Sequence, residues 1–161
     1  MIKIKYQPRP LQKKLHTQLS RFNVIICHRR FGKTVFAINQ IIKQAFLNNK
    51  HRPQYAYICP TYKQAKLVAW DYLKEFTAGI PDVSYNESEL SCTFMGRKIF
   101  LLGADRNTDN LRGIYLDGAV LDEFANMKPD AWTKVVRPTL SDRIGWAIFI
   151  GTPNGRDHLY D

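Results

Sequence analysis

A short apolar run, Asn23-Val24-Ile25-Ile26-Cys27, leads through the loop His28–Gly32 into a segment where apolar residues recur at Val35, Ile38, Ile41, Ile42, Ala45 and Phe46. The run has the length and β-branched content of a buried strand, and the recurrence after the loop has a helical period. Strand, tight loop and helix in direct succession are the start of an alternating α/β chain. The same alternation continues. Tyr55–Cys59 reads as a second strand, and Pro60-Thr61 opens a helix that runs to about Phe76. Val83–Tyr85, Ser91–Phe94 and Lys98–Leu102 read as short strands, with Met95-Gly96 as a tight turn. Gly118–Leu121 is a further buried strand, a helix starts near Pro129, and Trp146–Ile150 is the last strand, closed by Gly151-Thr152-Pro153. An extended lead-in and a helix over Pro10–Leu19 precede all of them. Strands alternating with helices predict a three-layer α/β fold around a mainly parallel sheet.

The chain has 161 residues, 45% of them hydrophobic. That suits one domain with a real core and argues against disorder. No apolar run approaches the roughly 20 residues that span a bilayer, and no signal-peptide core stands at the N-terminus. Cys27, Cys59 and Cys92 are an odd number, far apart and without metal-type spacing. They read as neutral thiols of a cytosolic protein, not as a disulfide framework.

The loop carries the first chemistry. Cys27-His28-Arg29-Arg30-Phe31-Gly32-Lys33-Thr34 matches the phosphate-loop pattern G-x-x-x-x-G-K-[ST], except that Cys27 stands where the first glycine belongs. Gly32 lets backbone approach a phosphate closely, and amides at a helix start bind anions. Lys33 is placed to reach the outer phosphates of a nucleotide, and the Thr34 hydroxyl to coordinate Mg²⁺. The second chemistry lies at the end of the Gly118–Leu121 strand, where Asp122 and Glu123 stand side by side. In phosphate-loop enzymes the first such acid serves the metal shell and the second can orient or deprotonate the attacking water. Two independent motifs, phosphate loop first and acidic strand later, in the right order and context point to an ATPase.

Charge is distributed unevenly. Residues 1–70 hold fourteen Lys and Arg and no acid, whereas residues 71–161 hold ten bases against fourteen acids, for a net charge of +10 overall. Such an asymmetry suggests a basic surface facing a polyanion, either nucleic acid or nucleotide phosphates.

Together these residues resemble the ATPase domain of the large terminase subunit of tailed phages, over nearly the whole chain. That family's phosphate loop also deviates from the standard pattern and carries an arginine in its middle, as Arg29 and Arg30 do here; the two are adjacent, and either can face the phosphates. Asp122-Glu123-Phe124-Ala125 looks like the family's acidic motif. Gly151-Thr152-Pro153 is similar to its coupling motif, which links hydrolysis to domain movement. Gln12 fits a family glutamine that contacts adenine, and Tyr62-Lys63-Gln64-Ala65 resembles the segment after the second strand. Leu111-Arg112-Gly113 looks like a segment whose arginine acts on a neighbouring subunit's nucleotide. By default Gln12 is a solvated helix residue, Gly151-Thr152-Pro153 a strand-ending turn and Arg112 a surface charge.

The resemblance implies an ASCE/RecA-like phosphate-loop NTPase that hydrolyses ATP with Mg²⁺ to move double-stranded DNA into a procapsid in the host cytoplasm. It implies as catalytic groups Glu123, Arg29 and the trans-acting Arg112. Nucleotide would be held by Gln12, Arg30, Phe31, Gly32, Lys33, Thr34, Gly151 and Thr152, and the metal by Thr34 and Asp122. The implied partners are the portal protein, the small terminase subunit and further copies in a ring, with no membrane. Large terminase subunits also carry a nuclease domain, for which no carboxylate cluster can be assigned here, so no nuclease activity is expected. The family's ATPase domain usually continues past the coupling motif, so a shortened domain with an incomplete sheet is expected. A helicase-like DNA-dependent ATPase and a non-catalytic DNA-binding remnant of a prophage gene are the alternative readings.

Overall fold

The computed structural model describes residues 1–106, 111 and 113–153. Seven strands form one sheet: β1 (Phe22–Ile26), β2 (Gln54–Cys59), β3 (Ser84–Asn86), β4 (Ser91–Phe94), β5 (Arg97–Gly103), β6 (Gly118–Asp122) and β7 (Trp146–Gly151). Their spatial order is β1-β7-β6-β2-β5-β4-β3. The first five are parallel; β4 and β3 add an antiparallel meander at the far edge. The meander turns at Met95 and Gly96, both with positive φ (48° and 75°), as the tight turn read from sequence requires.

Side chains alternate along the central strands into two cores. Tyr55, Tyr57, Val120, Ile148 and Ile150 point to one face, where α2 (Lys33–Leu47) and α4 (Asp71–Thr77) cover them. Ala56, Ile58, Ala119, Leu121, Ala147 and Phe149 point to the other, against Val135, Val136 and Leu140. The last of these belongs to α5 (Arg137–Ser141). The result is three layers around a mainly parallel sheet. The lead-in also contributes: Ile2, Ile4 and Tyr6 pack on the first core ahead of α1 (Pro10–Gln18).

Helix starts follow the sequence signals, but two of the helical segments differ in form. Thr61 caps α3 (Tyr62–Ala65) by accepting the Gln64 N–H at 3.1 Å. The unbroken helix expected to Phe76 is instead interrupted by a π-helical turn, Lys66–Trp70, before α4. A second π turn, Ala131–Val136, opens the helical segment expected from Pro129. Apolar spacing reports which residues are buried, but it does not distinguish an α turn from a π turn that buries the same side chains.

The strand order sets up the functional edge. Placing β7 between β1 and β6 aligns Ile26 with Gly151 and Ile150 with Asp122. The residues that leave these three strands therefore emerge side by side.

Candidate functional site

The phosphate loop leaves β1 at Cys27, whose N–H donates to Gly151 O at 3.1 Å. The strand pairing thus extends one residue into the position where the standard pattern has glycine. Further on the backbone turns twice into the left-handed region, at Arg30 (φ 69°) and Gly32 (φ 82°). Gly32 needs its missing side chain on two counts. Its φ is costly for other residues, and a Cβ would stand 2.4 Å from Arg9 Nη2 and 2.8 Å from Gln12 Nε2. Gly32 is also the N-cap of α2, so the loop ends on unpaired amides at a helix start.

Lys33, on the first turn of α2, reaches across to two other strand ends. Its Nζ donates to Glu123 Oε1 at 3.0 Å and to Thr152 Oγ1 at 2.6 Å, and Thr152 Oγ1 donates to the same Glu123 oxygen at 3.1 Å. Three sequence motifs thereby close into one triangle. Glu123 is held there by an unusual backbone: its φ is 51°, a left-handed conformation that a glutamate adopts only where the surroundings enforce it. The turn that follows, Phe124–Asn126, is anchored by the Phe124 ring, buried edge-on against Phe149 at 4.9 Å.

Asp122 sits one residue deeper, 6% exposed. Its Oδ2 accepts a hydrogen bond from the Tyr57 hydroxyl, while Oδ1 is buried with no hydrogen-bond partner among the described residues. Burial lifts the Asp122 carboxyl above its ordinary range; the Tyr57 hydroxyl pulls it back and the neighbouring Glu123 charge lifts it again. Burial, followed by the Asp122 charge, keeps Tyr57 protonated as the donor, and the Thr34 side chain interacts with the same hydroxyl. An orphaned carboxylate oxygen, with the Thr34 side chain on the tyrosine that holds its twin, fits a small hard cation that takes its remaining ligands from phosphate and water. No cluster of three or more His, Cys, Asp or Glu side chains able to hold a metal exists among the described residues.

These groups open onto a pocket of about 600 Å³ lined by Arg29, Arg30, Gly32, Lys33, Thr34, Glu123 and Thr152. The pocket is cationic on the loop side. Neither the Arg29 nor the Arg30 guanidinium has a hydrogen-bond or ion-pair partner among the described residues. Phe31 lies on the opposite side of the loop, with Arg9, Leu11, Gln12 and His28, around a smaller hollow of about 280 Å³. Gln12 is not a solvated helix residue. It is 3% exposed, and its amide is engaged by the Arg9 N–H and by the Phe31 and Gly32 carbonyls. Gly151 is buried in β7 and faces the loop through its carbonyl. Arg112 lies outside the described residues.

Three residues in or under this site carry no sequence signal. Tyr57 is one apolar position among several in β2, and its contact with Asp122 crosses 65 residues of chain. Tyr72 of α4 and Asn126 line the main pocket. Their arrival there depends on how α4 packs over the sheet and on the turn after Glu123. The three cysteines are unpaired, and burial raises the thiol pKa of each.

Comparison with known proteins gives a consistent picture. A family model described as terminase large subunit, T4likevirus-type, N-terminal, matches residues 25–161. The large terminase subunit of Thermus virus P23-45 is 29% identical over 177 aligned residues, which cover 97% of this chain and 36% of that protein. That of Thermus phage G20c is 28% identical over the same extent. The chain therefore spans little more than a third of these relatives' length. Among solved structures, the large terminase ATPase domain of Thermus phage P74-26 superposes with a TM-score of 0.82 at 27% identity, covering 98% of this chain and 69% of that one. The large terminase of another thermophilic bacteriophage shares the fold, with a TM-score of 0.76 at 21% identity over 92% of this chain and 40% of that one.

Proposed function

Since this chain belongs to the terminase large-subunit family, we propose that it binds and hydrolyses ATP to drive double-stranded DNA into a viral procapsid. The observation that carries this reading is the triangle of Lys33, Glu123 and Thr152, drawn from the first turn of α2 and the ends of β6 and β7 into one cationic pocket beside Asp122.

Each residue has a task in this reaction. The amides of Gly32 and Lys33 and the Lys33 ammonium hold the β- and γ-phosphates, with Arg29 or Arg30 added from the loop. Glu123 accepts the proton of the attacking water at its carboxylate once phosphate has drawn Lys33 away. Thr152, bonded to both Lys33 and Glu123, registers that exchange and passes it into β7 through Gly151. Asp122 Oδ1 and the Thr34 hydroxyl would hold Mg²⁺, which neutralises phosphate charge when bound. Little covalent chemistry is asked of the protein; positioning and electrostatics suffice.

DNA is the polyanion that the basic N-terminal stretch would meet, since Lys33 and the loop arginines serve the nucleotide. Arg112 would complete a neighbour's site within a ring of copies, working with the portal protein and the small subunit in the host cytoplasm. No helix among the described residues is long and apolar enough to cross a membrane. The test is steady-state ATP hydrolysis with and without double-stranded DNA, in buffer containing Mg²⁺. Turnover that needs Lys33 and Glu123 supports the reading; nucleotide-independent DNA binding with no hydrolysis would leave a non-catalytic binding protein in its place.

A further inference from the structure

We propose that Arg9 and Gln12 act together as a clamp on the outside of the phosphate loop, which makes Arg9 a positioning residue for phosphate binding. This rests on the ATP-binding reading above. Arg9 Nη1 donates to Arg30 O at 3.2 Å and Nη2 donates to Phe31 O. Gln12 Nε2 donates to Phe31 O at 3.3 Å and to Gly32 O at 3.2 Å. The pair is itself locked, because Gln12 Oε1 accepts the Arg9 N–H at 2.9 Å. Three successive carbonyls are thus gripped from one side.

Peptide geometry makes this grip functional. In a trans peptide the carbonyl and the following N–H point in opposite directions. Drawing the Phe31 carbonyl toward α1 turns the Gly32 N–H the other way, toward the pocket that Gly32 lines, while the Gly32 carbonyl, which Gln12 shares with the Phe36 N–H at 3.0 Å, leaves the Lys33 N–H facing out of the start of α2. Neither N–H donates to another backbone group among the described residues. They are therefore available to a phosphate, already aimed.

The loop also needs the grip. Arg30 sits at φ 69°, an uncommon conformation for a non-glycine residue, and Arg9 bonds to its carbonyl. Cys27 replaces the glycine that would ease the loop's entry. Gly32 fits the same arrangement, since any larger residue would push Arg9 and Gln12 off the carbonyls. Gln12 thereby has a different task from adenine contact: its amide is already engaged by the backbone that it positions.

The two roles separate by the ligand they respond to. A clamp acts on phosphates, so Arg9→Ala should weaken Mg-tripolyphosphate and Mg-ATP by the same factor, roughly 10-fold, measured by calorimetry on the full chain. Arg9→Lys keeps the charge but loses the two-pronged grip and should fall between the two. Gln12→Ala removes no charge and should also weaken both ligands; because Gln12 is buried, the exposed Arg9 variants carry the test if that protein does not fold. Loss of Mg-ATP affinity with Mg-tripolyphosphate unchanged would mean a direct adenosine contact and overturn the clamp. Full binding by Arg9→Lys would reduce Arg9 to a charge and overturn it too. Lys33→Ala serves as the reference: if it binds both ligands normally, the ATP reading itself fails, whereas weakened Lys33→Ala with normal Arg9→Ala rejects only the clamp.

Discussion

Replacing Glu123 by Gln should make this protein bind Mg-ATP more tightly while nearly stopping its hydrolysis. The Lys33 ammonium is engaged by Glu123 at 3.0 Å and by Thr152 at 2.6 Å, so binding a phosphate must first break the ion pair. A charge-assisted hydrogen bond contributes about 1.5–3 kcal/mol. The Lys33 and Glu123 side chains are 14% and 35% exposed, and the more open carboxylate places this pair at the low end through solvent screening. Glutamine keeps a neutral acceptor for Lys33, worth about 0.5–1 kcal/mol, which leaves a net release of about 0.5–1 kcal/mol, or roughly 2- to 5-fold in affinity. Turnover should fall roughly 100- to 10,000-fold, the usual contribution of a positioned general base. Calorimetry with Mg-ATP gives the first number and single-turnover hydrolysis the second. Weaker binding by Glu123→Gln would show that the carboxylate does not compete for Lys33. Wild-type turnover would remove Glu123 from the chemistry.

Arg143→Ala should destabilise the fold away from the site. Asp117 is 4% exposed and its carboxylate is met by Arg143 Nε at 3.1 Å and by the Gln54 N–H at 3.0 Å, so losing the arginine strands a buried charge. The expected cost is about 2–4 kcal/mol, a fall in Tm of roughly 5–12 °C by calorimetric scanning; a shift under about 2 °C would contradict it. His16 should make stability depend on pH, because burial, opposed by the Gln40 hydrogen bond and aided by Lys43, lowers its pKa below 6.5 in the folded chain. The folded state then binds fewer protons than the unfolded one, so stability is intact above about pH 6.5 and declines as pH falls below it. A His16→Gln chain should lose that part of the Tm decline between about pH 7.5 and 5.5. DNA binding should be sequence-independent and weaken steeply with salt, with a log–log slope near roughly −0.9 per phosphate neutralised, and a flat salt dependence would argue against a phosphate-contacting face. Mixing inactive Glu123→Gln with inactive Arg112→Ala should partly restore hydrolysis if Arg112 acts on a neighbour, since a trans-acting arginine is worth roughly 10³–10⁵ in rate. No recovery at any ratio would return that role to Arg29 or Arg30.

Local patterns in the chain were enough to place its strands and main helices and to single out the loop and the acidic pair that the fold brings together. The β-branched run before the loop, the helical spacing after it and the two acids closing a buried strand each depend on residues a few positions apart, and such patterns survive in sequence. Gly32-Lys33-Thr34 and Asp122-Glu123 were recognisable for that reason, as was the parallel three-layer plan that alternating strands and helices dictate. What folding alone decided is where distant residues meet. Threading β7 between β1 and β6 brought Lys33, Glu123 and Thr152 to a common point, and no local pattern encodes the neighbours of a strand in a sheet. The Tyr57 hydroxyl found Asp122 for the same reason, across 65 residues. Gln12 shows the limit most plainly. A glutamine near the start of a helix reads as solvated or ligand-facing, yet burial beneath the phosphate loop leaves its amide polar groups needing partners, and the nearest ones are the loop's own carbonyls.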